Sequence, residues 1–323
     1  MFTLRFDMRA PSTGAPTTEL YAAALDMTSW SESRGAVAAI VCEHHGQEDG
    51  YLPSPMILAT AIAARTSSIQ IVLAVLVLPL YEPIRLAEEM VVLDVISNGR
   101  VGYVCGIGYR EDEYDLFGVD FRRRGRIADD WLSIVLRAKT GEPFDHRGRT
   151  VRVTPMPVTP GGPSVSWGGG SKAAARRAGR NGLGFFAQSD DESLRQAFEE
   201  AARSAGHEPG PCLLPPKELP TSLFVAHDID RAWQELGPYL MHDARTYAAM
   251  NPGDEATTSL SFAASIEELR AEERSHRIVS IDEAVSMVRA GQPLPLHPLI
   301  GGLPPPIAWR YLRTVTDDVV PAL

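Results

Sequence analysis

The strongest constraint on the fold is the stretch from Ile69 to Leu78, a run of Ile, Val and Leu interrupted only by Gln70 and Ala74. A strand with one wet face alternates apolar and polar residues. A strand that is apolar at nearly every position is buried on both faces, as in a parallel sheet flanked by helices. The longest fully apolar run, Ile71 to Leu80, is about half the length that a membrane-spanning helix requires, so a buried strand is the better reading.

Strand-like and helix-like segments alternate around it. Phe2 to Met8 and Ala36 to Val41 read as strands, separated by a helix from Thr17 to Glu32 with Thr17 or Thr18 as its cap. Pro53 to Thr66 reads as an Ala-rich helix, and Pro83 to Ile96 as another, stopped by Ser97-Asn98-Gly99. Val101 to Gly106 is the next strand. A longer loop leads to a helix from Arg126 to Lys139, then a hairpin over 144–158 turning at Arg147-Gly148. Ser164 to Trp167, Gly182 to Gln188, Thr221 to Ala226 and Leu296 to Ile300 read as strands, with helices to Arg180, from Asp190 to Ala205, from Ile229 to Tyr247 and from Ile307 to Val319. Eight strands, each followed by a helix, predict an α/β fold, a (β/α)8 TIM barrel. The chain reads as one domain over 1–323, with insertions near 109–125, 143–163 and 248–293, the last a candidate lid. A doubly wound open sheet is the alternative that the same alternation permits.

Composition narrows the function. Lys and Arg number 31 against 41 Asp and Glu, a formal net charge of −10, which argues against a nucleic-acid partner because that needs a basic surface. Three cysteines, Cys42, Cys105 and Cys212, offer neither a disulfide framework nor paired zinc-ligand spacing. The first residues carry no signal-like apolar stretch. A cytoplasmic protein, without membrane contact, is expected.

The chemistry gathers at strand ends, where ligands bind in barrels and open α/β sheets. Ala36 to Val41 runs through Cys42 into Glu43, His44 and His45, three proton-handling side chains where a strand leaves its sheet. Adjacent strand residues point to opposite faces, so two neighbouring His rarely share an ion, and no metal site is expected. Gly168-Gly169-Gly170-Ser171 opens a helix, so its free N–H groups suit a phosphate, while Ser171 also reads as a plain N-cap. Gly106-Ile107-Gly108 lacks the third glycine of a dinucleotide fingerprint. Cys105 reads as a small buried residue, not a nucleophile. The basic run Arg122 to Arg126 reads as a solvated helix start or ion-pair cluster before a phosphate clamp.

Several blocks in order resemble the luciferase-like monooxygenase superfamily of flavin- and deazaflavin-dependent oxidoreductases. They are Glu43-His44-His45; Ser54-Pro55 leading into Ala59 to Thr66; Leu78-Pro79-Leu80-Tyr81-Glu82-Pro83 through Glu89; Asp94 to Arg100; and Gly106-Ile107-Gly108-Tyr109 with Glu113-Tyr114 and Phe117-Gly118. The resemblance implies a barrel binding reduced FMN, or alternatively coenzyme F-420, across its C-terminal mouth. It places the ring near His44, Pro79, Gly106 and Gly108, and the phosphate at Gly168, Gly169, Gly170 and Ser171. His44 is then the expected catalytic base or donor, and His45 supports it. Some relatives hold the phosphate with an Arg where this chain has Ile107. The implied activity is monooxygenation of a small organic substrate with dioxygen. Hydride transfer by coenzyme F-420, or non-catalytic flavin binding, are the alternatives. A homodimer and a separate flavin reductase are the implied partners.

Overall fold

The computed structural model describes residues 1–254 and 256–323. Among the described residues twelve strands form: β1 (Phe2–Phe6), β2 (Ala36–Val41), β3 (Gln70–Val77), β4 (Val101–Gly106), β5 (Phe144–His146), β6 (Arg149–Val151), β7 (Ser164–Gly169), β8 (Gly184–Ala187), β9 (Cys212–Leu213), β10 (Ser222–Val225), β11 (His276–Val279) and β12 (Leu294–Leu296). The helices are α1 (Thr17–Ser31), α2 (Pro55–Arg65), α3 (Pro83–Ser97), α4 (Glu111–Phe117), α5 (Arg124–Ala138), α6 (Lys172–Arg180), α7 (Glu192–Ser204), α8 (Ile229–Met250), α9 (Ile266–Glu272), α10 (Ile281–Arg289) and α11 (Pro305–Thr314).

Ten strands form one sheet in the order β11-β10-β12-β1-β2-β3-β4-β7-β8-β9, and every ladder in it is parallel. From β1 to β8 the sheet strands lie side by side in chain order, and β12 returns to pair with β1, which is the strand order of a (β/α)8 barrel. Two extra strands extend the run, β9 on β8 and β11 on β10; among the described residues no ladder joins β9 to β11. As its sequence demands, β3 lies in the middle, paired on both sides by β2 and β4. The β5–β6 hairpin turns at Arg147-Gly148, both with positive φ, the left-handed pair of a tight two-residue turn. No helix is long and apolar enough to cross a membrane, among the described residues.

Three expectations give way. Helix α1 is entered from Pro16 with no side-chain cap; the fixed φ of proline steers the chain, so Thr17 is already helical. The last barrel strand is Leu294–Leu296, not 296–300, because Pro298 follows and Gly301 at φ 56° turns Ile300–Gly302 into a 3-10 turn. The 248–293 insertion is no simple loop: it holds α9, β11 and α10. Ser265 accepts from Glu268 N and Ser280 from Glu283 N. Both are the Ser-x-x-Glu pattern that starts a helix.

Side-chain alternation along β1 sets up the site. Phe2, Leu4 and Phe6 are at most 1 % exposed and belong to the main apolar core, so Arg5 and Asp7 share the opposite face of the strand.

Candidate active site

Beyond their strand ends, β1 and β2 stay zipped together. Cys42 N donates to Phe6 O, Leu52 N to Asp7 O and His44 N to Leu52 O, at 2.8–3.2 Å. The loop carrying Glu43, His44 and His45 is thereby fixed to β1 instead of hanging free.

His44 is buried and held at both ring nitrogens. Nδ1 donates to Glu113 Oε1 at 2.7 Å, and Nε2 takes the Tyr109 hydroxyl at 3.0 Å. The edge of its ring meets Tyr51, centroid to centroid 4.8 Å. Burial and the nearby Tyr247 push the Tyr109 phenol well above its ordinary value, so it stays a proton donor. A carboxylate on one nitrogen fixes which nitrogen carries the proton and leaves the other free to accept one. This carboxylate–imidazole–phenol set can take up and return a proton facing the cavity.

His45 points elsewhere. Its Nε2 donates to Glu43 Oε1 at 2.8 Å, its ring packs on Phe117, and it lines an outer groove. Glu43 is fully engaged, accepting also from Tyr81 OH and Val77 N. His45 N nevertheless donates to Glu113 Oε1 at 3.0 Å, so its backbone helps hold the carboxylate that orients His44.

The cavity at His44 has a volume of about 450 Å³, within the range of small-molecule sites. Gly106, Gly108, Gly168, Gly169, Gly170 and Ser171 line it, as do Val75 and Val77. Pro79 does not; it is buried in a 3-10 turn beyond β3. A Cβ on Gly106 would stand 2.6 Å from Val75 Cγ1, and Gly108 has φ 65°, so these glycines let β3 and β4 approach at the cavity wall. Ser171 does cap α6, accepting from Ala174 N at 3.2 Å. Cys105 is buried, and burial with Glu43 nearby pushes its thiol up to about 12, which suits packing and not nucleophilic chemistry.

The sequence of Arg122 to Arg126 reads as a solvated helix start or ion-pair cluster before a phosphate clamp, yet the structure favours the clamp at one residue. Arg122, Arg123 and Arg126 are exposed. Arg124 lines the cavity together with Gly170 and Ser171; its guanidinium stacks on Phe121, and its Nε is buried with no partner. An orphaned, charged donor beside a helix start is what an anion would satisfy.

Beside the cavity lies a buried ionic cluster. Arg9, fully buried, pairs with Asp7 at 3.3 Å, with Asp243 at 3.5 Å and with Asp49. Asp7, Asp243 and His297 converge as metal ligands might, but Arg9 already supplies the positive charge against both carboxylates. Its guanidinium also lies 4.6 Å from the Tyr51 ring centre, tying the cluster to the wall on which His44 rests. His227, just past the end of β10, is exposed and pairs with Asp318.

The profile of the luciferase-like monooxygenase family matches residues 3–289. The chain belongs to this family. Among curated relatives of this luciferase-like protein is the alkanal monooxygenase alpha chain of Photorhabdus luminescens, 24 % identical over 188 residues, 55 % of this chain and 52 % of that one. The chain spans about half, or less, of the length of the curated relatives it matches. Solved luciferase-like structures share the whole fold. The oxygenating constituent of 3,6-diketocamphane monooxygenase from Pseudomonas putida, in complex with FMN, superposes with a TM-score of 0.72 at 19 % identity, covering 100 % and 98 % of the two chains. The coenzyme F-420-dependent tetrahydromethanopterin reductase of Methanopyrus kandleri gives 0.65 at 17 %, covering 99 % and 98 %.

Proposed function

We propose that this luciferase-like protein is a monooxygenase that uses reduced FMN and dioxygen on a small organic substrate. One observation carries the reading: Arg124, the glycine turn capped by Ser171 and the held imidazole of His44 all line one cavity. The FMN-bound relative and the alkanal monooxygenase support it. Arg124, Ser171 and the first-turn N–H groups of α6 would hold the phosphate, and Val75, Val77, Gly106 and Gly108 would flank the ring. Reduced FMN supplies the electrons that activate dioxygen. The chain's own residues do the rest: apolar walls exclude water, and His44 moves a proton at Nε2, steadied by Glu113 through Nδ1. A separate reductase in the cytoplasm would supply reduced FMN, since Gly106-Ile107-Gly108 lacks a dinucleotide fingerprint.

Flavin fluorescence titration tests this. A charge-assisted bond contributes about 1.5–3 kcal/mol, so FMN is expected to bind roughly 10- to 100-fold more tightly than riboflavin, with Arg124→Ala removing most of the difference. Equal affinities would overturn the phosphate assignment. Ile107, standing where some relatives carry a phosphate-binding Arg, favours a second reading, hydride transfer by coenzyme F-420. Tighter binding of that coenzyme than of FMN would select it.

We also propose a homodimer through the outer groove, about 1100 Å³, that α2, α3 and α4 border. Ile57 is 73 % and Leu116 64 % exposed, and Val92, Ile96 and Phe117 join them, a contiguous apolar patch of the kind that marks an interface. Light scattering is expected to give twice the chain mass for the wild type and the single mass for Ile57→Glu. A monomeric wild type rules the dimer out.

A further inference from the structure

Two phenols stand against His44. Tyr51 lies on the loop after β2, beside the Leu52 that is zipped to β1, and Tyr247 lies in the last turn of α8. Their rings meet the His44 ring at 4.8 Å and 6.2 Å between centroids, and both residues line the cavity. Their hydroxyls lie 3.0 Å apart, and Arg5 Nη2 donates to the Tyr247 oxygen at 3.0 Å.

Counting protons shows what the pair lacks. Each phenol has one proton, and the bond between them uses one of the two. Burial pushes both phenols above the ordinary value, so neither sheds its proton near neutral pH. Arg5 has only protons to give and accepts none. One O–H is thus left over, and among the described residues neither hydroxyl has another acceptor. A buried donor without a partner is costly. This one belongs to residues of a cavity wall, where a ligand can match it.

The rest of the lining says what kind of ligand. It includes the carboxylates Glu43 and Asp254, and Arg124 is its one Arg or Lys, already assigned to the phosphate. A second anion in the cavity would meet like charge with no cation to spare. The unmet demand is for a neutral acceptor oxygen.

We propose that the Tyr51–Tyr247 pair is the polar anchor of the substrate, giving its spare O–H to an uncharged carbonyl oxygen beside His44. The substrate class is thus a neutral carbonyl compound and not an organic acid. The two phenols act as a unit, because either ring left alone still has a proton of its own.

The inference rests on the proposed function for what the cavity is for, yet the two fail separately. Calorimetric titration of the FMN-loaded protein with cyclohexanone, acetophenone and 2-nonanone tests it. Each is set beside the analogue in which a methylene replaces the carbonyl oxygen, with benzoate and octanoate as the anions. At least one ketone is expected to bind about 5-fold or more tightly than its methylene analogue. It should also bind more tightly than either acid, and its carbonyl infrared band should move to lower frequency on binding. The double substitution Tyr51→Phe with Tyr247→Phe should abolish both the preference and the band shift while FMN still binds. At least one of the single substitutions should keep part of both. The wild-type comparison stands even where a variant fails to fold. Binding of no ketone, equal binding of ketone and analogue, preference for an acid, or an unchanged preference in the double variant overturns the proposal. A protein that prefers ketones but binds no FMN and no coenzyme F-420 keeps the carbonyl site and loses the flavin reading.

Discussion

His44→Ala is expected to cut turnover of any substrate the wild type accepts by roughly 10²- to 10⁴-fold, the usual contribution of a positioned acid or base. FMN affinity should stay within about 3-fold, because the phosphate end of the cavity, at Arg124 and Ser171, is formed by other strands and helices. The substitution removes both the imidazole and the partner of Glu113, and it leaves an imidazole-sized space bordered by Tyr51 and Tyr109. Added imidazole should therefore recover part of the rate. Turnover at the wild-type level would remove His44 from the chemistry, and loss of FMN binding in step with activity would make it a structural residue.

Arg9→Ala is expected to be the most damaging change to stability. It strips the one guanidinium from Asp7, Asp49 and Asp243, and removing one partner of a buried ion pair typically costs about 3–5 kcal/mol. That is a large share of the roughly 5–15 kcal/mol that holds a native domain together. The pH dependence gives a second readout. In the wild type, burial pushes the Asp243 carboxyl up, but the hydrogen bond and charge of His276, with Arg9 and His297, pull it well below the usual range. At Asp49 burial likewise pushes up, and His242 and Arg9 outweigh it, so that carboxyl too lies below its ordinary value. Both carboxylates have folded values below their unfolded ones. They thus contribute stability that is present above the ordinary carboxylate range and lost as pH falls below it. Without Arg9, burial weighs more heavily on both carboxylates. Stability should then gain less from raising the pH out of the acid range, and urea midpoints from pH 3 to 7 should rise less than in the wild type. Unfolding free energies within about 1 kcal/mol of the wild type across that range would show that His276, His297 and His242 hold the carboxylates unaided.

Much of the frame was legible because its signals are local. The apolar run of β3, the strand Ala36–Val41 and the Gly-rich entry to α6 each state their structure within ten residues, and each forms where expected. The Glu43-His44-His45 cluster was legible as a site, but not which imidazole would face the cavity; that depends on the zipper from Leu52 to Asp7, a pairing of backbones distant in sequence. Tyr51 and Tyr247 escaped notice for the same reason, and Glu113, quoted only as part of a family block, was given no role. Glu113 is one of three acids opening α4, in a segment that read only as an insertion. Tyr247 lies on the apolar stripe of α8 with Leu236, Leu240 and Ala244, and the buried Asp243 beside it was the available hint. The two Ser-x-x-Glu starts in 248–293 were a local signal that went unused.

Helix α4 is short, yet it faces two ways. Glu113 points inward onto His44, while Leu116 and Phe117, one turn further on, face the outer groove. A seven-residue rod cannot bend between those points. Whatever seats itself against the outside of this lever therefore sets how firmly the carboxylate inside grips its imidazole, and a chain diluted until it stands alone should also be a slower one.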